Sequence, residues 1–442
     1  MKHPRLTVST VRFGFWQRLA VSFGLVGVAF AVTISTTHAE TDPAQGRLIS
    51  SQAIAANPVS EKVYAVNGPA NSVAVFDERH GSMHSVNVGK GPVSLAIDPR
   101  TNRIYVVNAG ADSVSVIDGR DDAVIATIRE KPGSDPYVLT VDDAANKIYV
   151  TNTYSSALMV IDGATNVAHT LKTGSADGIA LDPRTGMVFL MTYENPDIRL
   201  VNPRTGAIVR VRVGPHLWGM TFDQSLHTLY VAHTMTNNIV ALNETTHAVH
   251  TIPTGSIPCA VAIDPATQRL YAVNYGSQTL SVIDARTGRV LATLPVGSNP
   301  QAVVVDSRRN RIYVANVHGN SVTVVDGARN TVLGVRPAGT NPYALALGTG
   351  MVFAVDYGKP SIVPVAPLAG AAGAEQALKD ALEANRFVAL YRTGRMRLPQ
   401  AKPEMYSTGS EEEAALCLEN LRAGTPSFSC MTGVRRWEWA GS

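Results

Sequence analysis

The chain has few cysteines and lacks most of the local signatures of chemistry. Three cysteines in 442 residues do not make a disulfide framework. Cys259 lies in an apolar strand pattern and reads as an inert core thiol, whereas Cys417 and Cys430 are close enough in sequence to be a candidate disulfide in an oxidising compartment. No Cys-x-x-Cys-His, Gly-x-Ser-x-Gly, His-Glu-x-x-His or phosphate-cradling glycine motif occurs, which argues against covalent haem attachment, a serine-hydrolase elbow, a zincin helix and a nucleotide loop.

Acidic residues are absent from the first 39 positions. Lys2, Arg5, Arg12 and Arg18 precede or flank an apolar stretch from Leu19 to Ile34, and Thr37 and Ala39 place small side chains before a cut ahead of Glu40. This three-part pattern is that of a secretory signal peptide; the stretch is short, and too interrupted by Ser22, Gly24, Gly27 and Thr33, for a lasting membrane span. Cleavage removes four basic residues and takes the formal charge from +3 to −1. A near-neutral chain is a poor phosphate-binding surface, so nucleic acid is not the expected partner.

What the chain does have is a repeat. Aromatic-led tetrads end eight apolar runs: Tyr64 to Asn67, Tyr105 to Asn108, Tyr149 to Asn152, Phe189 to Thr192, Tyr230 to His233, Tyr271 to Asn274, Tyr313 to Asn316 and Phe353 to Asp356. Their leading residues are 41, 44, 40, 41, 41, 42 and 40 positions apart, the period of a four-stranded propeller blade. In the unit from Pro92 to Gly133, four β-branched-rich runs are separated by turn chemistry such as Asp98-Pro99-Arg100-Thr101-Asn102. A sheet of this size cannot bury both faces alone, and radial stacking with its neighbours solves the problem.

The expected fold is therefore all-β, a β-propeller over residues 40–365, with eight blades favoured and seven the alternative. First strands are expected near Gln52, Val93, Val138, Gly178, Trp218, Cys259, Gln301 and Tyr343. The last unit lacks an evident fourth strand, and residues near Gly46 to Ser50 could supply it as a clasp. Carboxylates such as Asp98, Asp118, Asp162, Asp264, Asp284 and Asp326 recur in the turn register and read as turn formers.

Tyr149-Val150-Thr151-Asn152, the Ser113 to Asp118 strand and the Val296-Gly297-Ser298-Asn299-Pro300 connector recur in register over residues 51–365. On these motifs the chain resembles the YVTN β-propeller repeat family and its exported, YncE-like members. That resemblance implies a fold and a periplasmic or secreted location, and it implies no settled reaction.

Strand alternation puts the second-to-third-strand loops and the blade-to-blade connectors on one rim. The candidate ligand-binding residues there are Asp177, Tyr193, Glu194, His216, Trp218, His233, Tyr275, His318 and Tyr357, since recognition lives on loops carried by rigid strands. The aromatics suit a peptide, sugar or flat ligand, with packing of the channel as the structural alternative. His216 and His233 with Asp177 or Glu194 have the chemistry of metal ligands, against which stands ordinary drift among repeats, and no metal or cofactor is assigned.

From Ala366 the composition changes. Residues 366–442 read as a linker and a small helical segment, with Leu378, Leu382 and Val388 or Ala389 near helical spacing and Ser410 with Glu413 resembling a capping box. The expected function is a non-catalytic, monomeric binding or scaffold module for an envelope or extracellular protein, peptide or glycan. The alternative is a propeller enzyme, a metal-assisted lactonase or an oxidoreductase-related protein, with its site at the channel mouth. N-terminal sequencing of protein recovered from an exporting host is expected to start at Glu40; a chain that retains Leu19 to Ile34 would refute the export signal.

Overall fold

The structure, a computed structural model, describes residues 41–42, 47–48, 52–357 and 361–365. The signal segment and residues 366–442, with Cys417 and Cys430 among them, lie outside the described residues. Eight antiparallel sheets follow one another along the chain, each a meander in which sequential strands pair. Seven have four strands and the last, Pro342–Leu347, Val352–Asp356 and Ile362–Val365, has three. The innermost strand of each blade packs on the next, and the last packs on the first, Ile54–Asn57, so the ring is closed with eight blades and not seven. No helix among the described residues is long and apolar enough to cross a membrane.

Each innermost strand begins within two residues of its expected start, at Ile54, Pro92, Pro136, Gly178, Leu217, Pro258, Pro300 and Pro342. Five open on proline, which a strand tolerates at its first residue. Six of the strands carry a register shift immediately after that residue, between Pro92 and Ser94 in the second blade and between Leu217 and Met220 in the fifth. A bulge there bends the strand and re-aims its side chains.

The tetrads work between blades. Tyr64, Tyr105, Tyr230, Tyr271, Phe189 and Phe353 are at most 1% exposed, and the buried rings bring the largest apolar area of each repeat into the core. The Tyr64 hydroxyl donates to Asp122 Oδ1 of the next blade at 2.7 Å, and the Tyr230 hydroxyl donates to the Ala285 carbonyl of the next blade at 2.8 Å. An aromatic with a polar tip can thus be fully buried and still satisfied across a blade boundary.

The recurring aspartates act as turn acceptors. Asp98 Oδ1 accepts from the Arg100 and Thr101 amides at 2.9 and 3.2 Å, and Asp326 Oδ1 accepts from the Ala328 and Arg329 amides at 2.9 and 3.0 Å. Hydrogen bonds to the carboxylate outweigh burial at Asp326 and hold its acid constant below the usual range.

Closure differs from the clasp expected from sequence. Arg47–Leu48 pairs with Thr41–Asp42 and not with the eighth blade. Side chains do the joining: Phe76 of the first blade meets Phe353 of the eighth at 5.4 Å between ring centres. The eighth innermost strand runs into Gly348 where the others have Asp or Asn, and Glu78 of the first blade supplies the missing acceptor. Its Oε2 takes the Thr349 amide at 3.0 Å and the Thr349 hydroxyl at 2.9 Å. Phe353→Ala is expected to cost about 3–5 kcal/mol, and Glu78→Ala about 1–2 kcal/mol, in urea unfolding followed by circular dichroism. Losses below about 0.5 kcal/mol for both would show that the first and eighth blades are joined by something else.

Candidate functional site

The second residue of each innermost-strand register sits at the rim where the connectors enter, and in six blades it lies in the bulge. In blade order these residues are Gln52, Val93, Tyr137, Asp177, Trp218, Cys259, Gln301 and Tyr343, all half-buried except Tyr343, which is buried. The third position is small or short and packs against the neighbouring strand. The Ser94 hydroxyl donates to the Tyr137 carbonyl at 2.7 Å, and at the second position itself the Cys259 thiol donates to the Pro300 carbonyl at 3.4 Å. These contacts tie neighbouring innermost strands together at this rim. Of these eight, only Asp177 and Trp218 are among the rim candidates read from the sequence. The other members become visible once the repeats are aligned on the bulge.

The mouth is chemically uneven, and its densest sector lies between the fourth blade (Gly178–Asp182, Met187–Met191, Asp197–Val201, Ile208–Arg212) and the fifth (Leu217–Asp223, Thr228–His233, Asn238–Asn243, Val249–Pro253). Tyr193 is only 5% exposed and is packed edge-on against both His216, at 5.1 Å, and Trp218, at 5.7 Å. It was expected on an open loop, and it is instead the buried brace of the cluster. Burial, with the Glu194 charge adding to it, pushes its hydroxyl up to about 12. Trp218 is half-buried and Glu194 is exposed.

Asp177 enters the cluster from the connector between the third and fourth blades. Its Oδ2 accepts from the Tyr193 amide at 3.0 Å, while desolvation raises its acid constant above the usual carboxylate value. A buried arginine holds that connector. Arg199, 2% exposed, donates from Nη1 to the Thr173 carbonyl at 2.9 Å, and from Nη2 to the Ser175 carbonyl at 2.6 Å and Thr192 Oγ1 at 2.9 Å. It pairs in register with Leu190, a site that in the second, sixth and seventh blades holds Ser115, Ser281 and Thr323, each bonded to the tetrad asparagine. No motif or spacing in the sequence marks that exchange of a small hydroxyl for a guanidinium.

The two histidines are placed by the repeat and not by each other. His216 occupies the left-handed residue that ends a connector, φ 67°, a role filled elsewhere by Gly91, Asp135, Asn299 and Asn341. Its carbonyl accepts from the Thr234 amide at 3.0 Å, as the Asn299 carbonyl accepts from the Val317 amide. His233 takes the tetrad's last position and is buried, 7% exposed. Gly214 lies so close that a Cβ there would stand 2.8 Å from the imidazole Cε1. No three of His216, His233, Asp177 and Glu194 bring their ligand atoms within 4.8 Å of one another.

The remaining candidates form separate groups further round the rim. Asn299 Nδ2 donates to the Tyr275 hydroxyl at 3.1 Å and lies 2.6 Å from His318 Nδ1, joining the sixth and seventh blades. Tyr357 stands edge-on to Tyr343 at 6.3 Å within the eighth. Cys259, expected in the core, is half-buried at the mouth, and burial pushes its thiol up to about 12, which keeps it protonated and unreactive at neutral pH.

No family model matches the chain, and no curated protein matches it. Solved structures do resemble it. A hydrazine synthase structure from Kuenenia stuttgartiensis matches with a TM-score of 0.52 at 19% identity, covering 66% of this chain and 98% of that one. The dihydro-heme d1 dehydrogenase NirN, in complex with DHE, matches with a TM-score of 0.57 at 13% identity, covering 70% of this chain and 74% of that one. A functionally unknown protein from Desulfotomaculum acetoxidans matches with a TM-score of 0.52 at 13% identity, covering 64% and 96%. At these identities the likeness is one of fold, and a shared propeller does not carry a shared reaction.

His233 provides a test of the packing at this rim. Burial, with His216 adding to it, holds its acid constant below the ordinary 6.5, although its ring N–H donates to the Pro215 carbonyl. The unfolded chain therefore takes up this proton first, so the contribution to stability is complete above about pH 6.5 and is lost as the pH falls below it. His233→Asn, the tetrad residue of five sibling blades, is expected to flatten the fall in unfolding free energy between pH 6.5 and 5.5; an unchanged slope would show that His233 is protonated equally in both states.

Proposed function

We propose that the chain is an exported binding module of the YVTN-repeat type that holds a protein, peptide or glycan outside the cytoplasm at the axial mouth of the fourth and fifth blades. The observation that carries this reading is the Tyr193, His216 and Trp218 cluster. A half-buried indole sits at a bulged strand end, braced edge-on by a buried tyrosine. An aromatic face fixed in this way loses little conformational freedom when a ligand stacks on it.

Polar groups beside the indole suit the same ligands. Asp177 offers a desolvated carboxylate anchored by the Tyr193 amide, able to accept from sugar hydroxyls or peptide amides, and exposed Glu194 extends the acidic edge. Rings and a carboxylate on a rigid scaffold are the ordinary composition of a saccharide or peptide site. The export pattern of residues 1–39 supports meeting such ligands in the periplasm or beyond.

Trp218→Ala and Asp177→Asn are the decisive variants. Purified protein is applied to glycan and peptide arrays, and each hit is titrated by intrinsic fluorescence. Affinity is expected to fall at least tenfold in both variants and to stay within twofold in Tyr357→Ala, which removes an aromatic from the eighth blade. Hits that bind both variants as tightly as the parent would place recognition elsewhere.

A further inference from the structure

On the rim opposite the aromatic mouth, one side-chain set between the fourth and fifth blades departs from what its turns require. In the second, third and seventh blades, the residue before the second strand is a left-handed asparagine, Asn102, Asn146 or Asn310. Its carbonyl accepts the amide of a glycine that follows the third strand, Gly119, Gly163 or Gly327, at 2.8 to 3.0 Å. A Cβ on any of these glycines would lie within 2.3 Å of the asparagine Oδ1, so the neutral, compact pair is a matter of space.

The fifth blade changes both members at once. His227 takes the left-handed position, φ 50°, and Glu244 takes the glycine position while its amide still donates to the His227 carbonyl at 2.8 Å. The backbone is thus unchanged and only the side chains are new. They project toward the turn aspartate of the preceding blade, Asp182, which is fully buried. The His227 nitrogen and one oxygen from each carboxylate all lie within 4.8 Å of one another.

The occupants already present leave this set short of partners. Thr185 Oγ1 bridges the two carboxylates, donating to Asp182 Oδ2 at 2.7 Å or to Glu244 Oε1 at 3.0 Å. The Glu244 side chain is 7% exposed, yet its Oε2 is buried with no hydrogen-bond partner among the described residues; His227 Nδ1, at 3.8 Å, is too far. The two carboxylates are confined together with only the Arg184 guanidinium as a neighbouring permanent cation, and burial and Asp182 both raise the acid constant of Glu244. Arg184 stands beside the set with a half-exposed side chain, Nη2 3.0 Å from His227 Nδ1 and 3.7 Å from Asp182 Oδ2.

We propose that Asp182, His227 and Glu244 form a binding site for a divalent transition-metal ion that ties the fourth and fifth blades together on this rim. One imidazole nitrogen and two carboxylate oxygens are the donor types that Zn²⁺ and Mn²⁺ accept, and a mutually repelling buried pair gains most from a central cation. The ion displaces the Arg184 guanidinium and satisfies Glu244 Oε2. Because the ligands belong to two blades, binding stabilises the folded ring and not the unfolded chain.

The test uses the full chain with Zn²⁺ as the probe and Ca²⁺ as the oxygen-preferring control. The variant His227→Asn with Glu244→Gly restores the pair that three sibling blades already fold with, so it separates loss of the site from loss of the fold. Metal retained after dialysis against Zn²⁺ is expected to drop by one equivalent in that variant. The unfolding midpoint of the parent is expected to rise with Zn²⁺ concentration, more than with Ca²⁺, and that of the variant to rise less. Arg184→Ala, which removes the competing cation, is expected to bind Zn²⁺ at least threefold more tightly than the parent. Equal Zn²⁺ stoichiometry in parent and variant, or no saturable binding by either the parent or Arg184→Ala, would overturn the site. Neither outcome bears on recognition at the opposite rim.

Discussion

Eight innermost strands must approach one another closely enough to shut a ring, and most features of this protein follow from how they do so. At the position next to the bulge the strands carry Ala53, Ser94, Val138, Gly178, Gly219, Ala260, Ala302 and Ala344, side chains short enough for neighbouring backbones to meet. Gly219 marks the limit, since a Cβ there would stand 2.7 Å from the Cys259 carbonyl oxygen and 3.0 Å from the Ala260 Cα. Backbone atoms cannot yield as a flexible side chain can, so the close approach is set by covalent geometry. Further out the same blades are wedged apart by the tetrad aromatics, and the contrast of small inside and large outside gives the ring its taper.

Closure shows how the constraint is met when the repeat is imperfect. The eighth blade has no strand-end aspartate for its turn, and Glu78 reaches across from the first blade to accept both the Thr349 amide and hydroxyl. A hydrogen bond that is local in the other blades becomes the contact between the two ends of the array. Phe76 and Phe353 bury the seam beside it. The ring is therefore held at its join by packing and one carboxylate, with burial of apolar surface as the main driving term.

The two rims differ in chemistry for a related reason. Left-handed connector residues and bulges set the second-position residues on one rim, where variation does not disturb the blade cores. There the fourth and fifth blades have gathered rings, an acid and a buried arginine. On the other rim, aspartates and asparagines are tied up in turns, and a departure stands out against that background. The exchange of Asn and Gly for His227 and Glu244 keeps the turn while adding charge that the turn does not need.

The repeat period, the tetrads and the Asp-Pro turns made eight propeller blades readable from the amino-acid order alone, because strand period, turn residues and blade length are local properties that each unit states for itself. The rim carrying the candidate residues was readable too, since strand alternation follows from the order of turns. What the linear chain did not disclose was which of those residues meet. Tyr193 sits in a loop by pattern and is buried by contact with His216 and Trp218, which come from the next blade. His216 and His233 looked like a pair, and the backbone assigns them to two different structural positions. Asp182, His227 and Glu244 are far apart in the chain and unremarked by any spacing rule, and they come together only where one blade's turn is pressed against the next. Contacts between blades depend on the radius and stagger of the closed ring, quantities that no single repeat contains, so the tertiary structure alone decides them.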